Sequence, residues 1–127
     1  MLLDTHTLLW AFAEPDRLSG PAADLIRNPE SEVVVSAASA WEIATKYRLG
    51  RLPGAEAIVA GFPAHLAMLR AEELPVRSNH ALRAGTFEVE HRDPFDRMLA
   101  AQALLEGLTL VTNDPAFAVF PELTTLW

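Results

Sequence analysis

The chain contains no cysteine. That excludes disulfide frameworks, thiolate zinc sites and cysteine nucleophiles together, and leaves oxygen or imidazole as the only metal ligands. Lysine is nearly absent as well: Lys46 stands alone among ten basic residues, and the rest are arginine. Arginine forks suit phosphate and carboxylate partners better than they suit a diffuse basic coat. Positive charge is in deficit, with 17 Asp and Glu against those ten and a formal charge of -7. Such a balance excludes binding of nucleic acid through a general positive field. It leaves room for a local site, in which a metal would have to meet the charge of the substrate. Long apolar runs are missing too. Hydrophobic residues make up 50% of the chain and mean hydropathy is +0.15, yet no stretch approaches the roughly 18 residues that span a bilayer. The N-terminal Met1-Leu2-Leu3-Asp4 has no basic segment before its apolar residues, which predicts the absence of a secretory leader and a cytoplasmic location.

At 127 residues the chain is expected to form a single domain over 1–127, with no linker, repeat or low-complexity tract. Leu2-Leu3 reads as a short buried strand ending at Asp4, followed by a Thr-rich turn and an apolar helical stretch from Leu8 to Ala13. Ser19-Gly20-Pro21 opens a second helix that runs to Arg27, and Pro29 closes it. Glu32 to Ser36 is a β-branched run, hence a strand, and Ala37 to Leu49 is a helix closed by Gly50. Two helical stretches between Pro53 and Leu74 break around Gly61-Phe62-Pro63, and Glu73 to Val76 reads as an edge strand. A helix over Asn79–Ala84 precedes a nearly all-apolar one from Pro94 to Glu106, capped by Gly107. Leu108 to Thr112 is the clearest strand, Asn113-Asp114-Pro115 a turn, and Thr124 to Leu126 a last short strand. Strands alternating with helices imply an α/β fold with a parallel sheet covered on both faces, whose ligands sit at the carboxyl ends of the strands.

Four acids stand apart by position: Asp4, Glu42, Asp96 and Asp114. Asp4 and Asp114 follow apolar strands, where an inward carboxylate is partly desolvated. Asp96 shares a helical face with Leu99, Ala100 and Ala103, an apolar stripe rather than a solvated one. Three or four carboxylates together make the oxygen-only cluster that Mg²⁺ or Mn²⁺ requires, and such ions activate water in phosphoryl transfer. Each acid also has a purely structural role open to it. Glu42 completes Ser39-Ala40-Trp41-Glu42, a capping-box pattern, and precedes Lys46 by one helical turn. Asp93 before Pro94 and Asp114 before Pro115 are both in the position of helix N-caps, and the cap is the preferred role for Asp93. Asp96 would suit the helix dipole, and Asp4 an Asx-turn. Only their joint arrangement lifts the functional case.

That arrangement resembles a known family. Leu2-Leu3-Asp4-Thr5-His6, then Trp41-Glu42-Ile43-Ala44-Thr45-Lys46 with Leu49-Gly50-Arg51-Leu52, then His91-Arg92-Asp93-Pro94-Phe95-Asp96-Arg97 continuing to Ala103, then Thr112-Asn113-Asp114, are similar to the motifs of PIN-domain ribonucleases. In particular they resemble the VapC toxins of bacterial type II toxin–antitoxin modules, and the likeness runs from Leu2 to about Phe117. The resemblance implies a PIN-like α/β/α sandwich and Mg²⁺- or Mn²⁺-dependent endonucleolytic cleavage of RNA. It also implies growth inhibition through translation, neutralisation by a small antitoxin, and a homodimer. The family's metal-site acids map onto Asp4, Glu42, Asp96 and Asp114. Asp93 takes a capping or supporting role. Cleavage by in-line attack of water would leave a 5′-phosphate and a 3′-hydroxyl. Thr112 and Asn113 are expected to support the carboxylates, and Thr5 either does the same or caps the first helix.

His6, His65, His80 and His91 are too widely spaced for a metal motif, and only His6, in the first motif, is expected to meet substrate or antitoxin. Lys46 is assigned to guiding phosphate; Arg48 and Arg51 are solvated helix-end residues by the same reasoning. Trp10, Phe12 and Trp41 are expected in the core or at a subunit interface. A haloacid-dehalogenase-like phosphatase would need a second aspartate where His6 stands. A receiver domain would need a lysine after a late strand, and Lys46 comes too early. The remaining alternative is a catalytically silent PIN-like module that binds RNA or a partner.

Overall fold

The computed structural model describes all of residues 1–127. Strand β1 (Leu2–Leu3) leads into helices α1 (Thr5–Ala13) and α2 (Gly20–Arg27), then β2 (Val34–Ser36) into α3 (Ala37–Arg48), α4 (Glu56–Ala60) and α5 (Phe62–Met68). After β3 (Glu72–Leu74) come α6 (Ser78–Thr86) and α7 (Pro94–Glu106), and then β4 (Leu110–Val111) and β5 (Thr125–Leu126). The five strands form one sheet in the order β3-β2-β1-β4-β5, and every pairing is parallel. The chain therefore runs outward from β1 through β2 to β3, and then crosses to the other side for β4 and β5. This reversal puts a topological switch point between β1 and β4, where open parallel sheets leave a crevice at their carboxyl edge.

Successive residues of a strand face opposite sides of the sheet, and the core divides accordingly. Leu3, Val35 and Val111 point into a cluster with Leu8, Ile26, Ile43 and Leu66 from the helices of one face. Leu2 and Leu110 point the other way, against Leu99, Ala100 and Ala103 of α7 and against Phe117 and Phe120. The α/β/α sandwich is thus built by strands only two or three residues long. Each leucine of β1 is fully buried and contributes about 2 kcal/mol through the area it removes from water.

Several boundaries differ from the sequence expectation. Helix α1 begins at Thr5 without an intervening turn, because Asp4 itself caps it by accepting from the Thr7 N–H at 2.7 Å. The edge strand lies at Glu72–Leu74 and stops before Pro75, which has no N–H to give to a ladder. Strand β2 lacks Glu32 and Val33, β4 lacks Leu108, Thr109 and Thr112, and β5 lacks Thr124. Helix α6 is longer than Asn79–Ala84 and α3 stops one residue short of Leu49. Helix α7 keeps its expected limits: Asp93 caps it, Pro94 occupies its first position, and Gly107 ends it at φ 65°, a left-handed conformation that favours glycine. No helix is long and apolar enough to cross a membrane.

The two-sided core makes a direct prediction. Leu3→Ala should lower the unfolding free energy by about 3 kcal/mol through transfer and cavity terms. Leu82→Ala, at a position 69% exposed, should change it by less than about 0.5 kcal/mol. Urea unfolding of the two variants checks this, and similar midpoints would contradict the assignment of Leu3 to the core.

Candidate functional site

Asp4 leaves the carboxyl end of β1 at the switch point and is only 3% exposed. One of its oxygens caps α1. The other accepts a hydrogen bond from the Thr112 hydroxyl, which lies just past the neighbouring strand β4. Thr112 Oγ1 also accepts from the Asp114 N–H at 3.0 Å. Asp114 in turn accepts from the Ala116 N–H at 2.9 Å, capping the short 3₁₀ turn Pro115–Val119. Thr7, buried on α1, donates to the Val111 carbonyl at 3.1 Å and ties the helix to β4. Asp4, Thr112 and Asp114 are therefore one hydrogen-bonded unit, assembled from residues more than a hundred positions apart.

Glu42 is also 3% exposed. Its Oε1 accepts from the Thr5 hydroxyl at 2.6 Å, and its Oε2 accepts from Lys46 Nζ at 2.6 Å. The capping-box reading of Glu42 is wrong. Ser36 caps α3, accepting from the Ala38 N–H, while Ser39 lies inside the helix and stands 3.1 Å from Thr5 Oγ1. The turn-to-turn pair with Lys46 does form, but on a buried glutamate rather than on a solvated face. Thr5 supports a carboxylate and does not cap α1. Since Thr5 adjoins Asp4, it links Glu42 to the Asp4–Thr112–Asp114 unit.

Asp96 enters from the first turn of α7. Asp93 caps that helix, accepting from the N–H groups of Phe95 at 2.8 Å and Asp96 at 3.4 Å. Asp96 Oδ2 accepts from His91 Nε2 at 2.8 Å. Partial burial pushes the Asp96 carboxyl up from 3.8 to about 6; the His91 hydrogen bond opposes that shift, and the negative charges of Asp93 and Glu42 reinforce it. Glu42 is thus near enough for its charge to act on Asp96.

Not every expected residue joins the site. Asn113 is exposed and bonds none of the carboxylates, although it lines, with Thr112, Asp114 and Trp127, a cleft of about 250 Å³ at this edge. His6 is exposed on α1, its ring 6.1 Å from that of Trp10. His65 and His80 are structural, bonded to the Gly61 carbonyl and to Glu106. The histidine in contact with an acid of the site is His91, which sequence spacing missed because the five-residue interval to Asp96 crosses a helix cap. Trp10 and Phe12 are half-buried, but Trp41 is 64% exposed. Trp41 stacks edge-on against Phe95 beside an apolar groove of about 390 Å³, which none of the four acids lines.

The donor set is oxygen-rich and anionic, the chemistry that fits a hard divalent cation. As the side chains stand, no three acidic or imidazole groups converge at ligand spacing. Each carboxylate is turned onto a donor of the protein instead, and Lys46 supplies the one cation in contact with them. A bound divalent ion would have to compete with Lys46 at Glu42, while His91 engages a single oxygen of Asp96.

A PIN domain family model matches residues 1–123. Ribonuclease VapC22 of Mycobacterium tuberculosis is 31% identical over 117 residues, which cover 90% of this chain and 86% of that protein. Ribonuclease VapC16 of the same organism is 39% identical over 57 residues, 45% of this chain and 39% of that protein. Among solved structures, VapBC2 from Rickettsia felis, bound to a DNA fragment from its promoter, superposes with a TM-score of 0.72 at 21% identity, over 98% of this chain and 96% of that one. A toxin–antitoxin complex from Klebsiella pneumoniae gives 0.66 at 17% identity, over 99% and 95%. At such identities the structural matches speak for the fold alone.

The displaced Asp96 carboxyl has a consequence for stability. Its folded value, about 6, lies above the ordinary 3.8, so its contribution is fully present below about pH 4 and is lost as pH rises through 6. At neutral pH the ionised group is a liability. Asp96→Asn should therefore raise the metal-free midpoint at pH 7 by a few degrees, about 1 kcal/mol after allowance for solvent screening. The gain should vanish near pH 4. Calorimetry in chelator across pH 4–7 checks this, and a variant no more stable than the wild type at pH 7 would contradict it.

Proposed function

From the premise that this chain belongs to the PIN-domain family, we propose that it is a divalent-metal-dependent endoribonuclease of the VapC toxin type. The observation that supports this reading most is the hydrogen-bonded set at the carboxyl edge of the sheet, in which Thr112 joins the Asp4 carboxylate to the Asp114 backbone and Thr5, next to Asp4, holds Glu42, with Asp96 within reach of the Glu42 charge. These four acids are the residues assigned to hold Mg²⁺ or Mn²⁺. When bound, the ion supplies a Lewis acid for a phosphate oxygen and lowers the pKa of water for in-line attack.

The protein's own residues have distinct tasks in this reading. Thr112 and the Thr7 N–H orient Asp4, and Thr5 orients Glu42; Asp93 holds the first turn of α7, from which Asp96 projects. Asn113 lines the Asp114 cleft, where it meets substrate rather than carboxylate. Lys46 balances Glu42, and with its side chain 29% exposed it reaches solvent to meet an RNA phosphate. His6, exposed on α1, is assigned as a second contact for substrate.

A toxin of this class acts in the cytoplasm with a small antitoxin partner, and two of the solved relatives are toxin–antitoxin complexes. We assign the antitoxin tail to the groove of about 230 Å³ between α1 and the Leu52–Ala55 loop, lined by His6, Leu9, Trp10 and Arg17. An arginine on that tail would meet the nearby carboxylates. A homodimer accounts for the exposure of Trp41 on its apolar groove. The other reading is a catalytically silent module, favoured by the Lys46 ammonium already resting on Glu42. Cleavage assays separate the two.

Wild type should cut RNA with Mg²⁺ or Mn²⁺ and not with chelator. Asp4→Asn, Asp96→Asn and Asp114→Asn should each lose about a hundredfold or more in rate, roughly 3 kcal/mol, while remaining folded by circular dichroism. Retained cleavage in all three would leave the silent module as the better reading. Independently, Mn²⁺ at about 100 times its dissociation constant should add roughly 2.7 kcal/mol to the native state. The resulting rise in the melting midpoint should shrink at mildly acid pH, where protons compete for the carboxylates. An equal shift in wild type and Asp96→Asn would refute the ligand assignment.

A further inference from the structure

The connection between α6 and α7 has no regular secondary structure, yet one side chain bonds its backbone at several points. Arg97 Nε donates to the Ala84 carbonyl at 2.8 Å, one terminal nitrogen to His91 at 2.8 Å and Val89 at 3.3 Å, and the other to Phe87 at 2.8 Å and Gly85 at 3.5 Å. The guanidinium has five N–H donors in a fixed fork, and it meets five carbonyls. From Gly85 to His91 these are every second residue, so the segment curls around the arginine with alternate carbonyls facing it. A lysine ammonium, with three donors on a flexible stem, cannot span this set.

The last carbonyl in the series belongs to the residue that touches Asp96. While Arg97 holds the His91 backbone, the His91 ring packs against Phe117 and Phe120, with centroids 6.3 and 5.5 Å away. Its backbone and its ring are therefore fixed from two sides, and its Nε2 meets Asp96 Oδ2 at 2.8 Å. Oδ2 is the Asp96 oxygen engaged by a protein donor, which leaves Oδ1 as the atom free for a ligand.

We propose that Arg97 and His91 are positioning residues for Asp96: Arg97 shapes the 85–91 segment around its guanidinium, and the segment so shaped presents His91 to fix the Asp96 carboxylate. The proposal rests on the reading of Asp96 as a metal ligand. Outer partners that orient a ligating group typically change metal affinity ten- to a hundredfold when removed. A purely structural role, in which Arg97 seals a loop and His91 fills space, gives a different pattern.

The test is Mn²⁺ binding to the full chain by calorimetry, with folding checked by melting curves. His91→Phe keeps ring packing and removes the donor; His91→Gln keeps a donor near the Nε2 position. His91→Phe should weaken Mn²⁺ about tenfold and His91→Gln should recover most of the loss. Arg97→Lys should weaken binding to a similar degree and add nothing to His91→Phe. Likewise His91→Phe should add nothing in the Asp96→Asn background, because there is no longer a carboxylate to orient. Wild-type affinity in His91→Phe, or a loss that persists undiminished in Asp96→Asn, overturns the positioning role. If Asp96→Asn itself binds Mn²⁺ like wild type, the ligand reading fails and the proposal with it. Should Arg97→Lys not fold, the two His91 variants and their Asp96→Asn doubles still decide between support and rejection.

Discussion

The structure depends on one contact across the switch point: the hydrogen bond from Thr112, just beyond β4, to the buried carboxylate of Asp4, just beyond β1. A parallel sheet that reverses its strand order there must leave a crevice at that edge. Any side chain following β1 or β4 faces into it. An aspartate buried in such a place is costly unless every donor within reach is turned towards it. The start of α1, the end of β4 and the turn through Asp114 are arranged around that requirement.

The same requirement, repeated for four acids, explains why so many polar residues near the crevice are buried. Thr5, Thr7, Ser36, Ser39 and Thr112 are all inaccessible to solvent or nearly so. They are hydroxyl residues, which donate a hydrogen bond without adding charge, and Thr5, Thr7 and Thr112 tie elements distant in the chain. Glu42 receives a full positive charge from Lys46, the single lysine of the sequence. Asp96 receives only a histidine, and its carboxyl is the one left strained by burial and like charge.

An acidic chain repels a polyanion through its outer field, so any attraction to one must be confined to a local site. The arginines are consistent with this economy. Arg97 is consumed by backbone carbonyls and Arg17 rests over Trp10 beside Glu14. Positive charge is thus spent on architecture, and under the proposed function a divalent ion would be the means by which RNA phosphate is met.

Much of this was legible in the sequence. Alternating strand and helix signals, with Asp93-Pro94 and Gly107 as punctuation, determined the fold class and the limits of α7, because capping and left-handed turns are local chemistry. The family motifs picked out Asp4, Glu42, Asp96 and Asp114. Tertiary structure decided which acids share bonds and through whom. No periodicity places Thr112 against Asp4 or Thr5 against Glu42, since the first contact arises only when β1 and β4 become neighbours and the second only when α1 and α3 pack together. It also overturned the capping role of Glu42, for the cap of that helix is Ser36, three residues before Ser39. His91 and Arg97 were missed for the same reason: their roles depend on a curled connection whose path is set by side chain to carbonyl bonds, and propensity does not encode such bonds. Local sequence determines where elements start and stop, while the crevice and its charges exist only once non-local strands are paired.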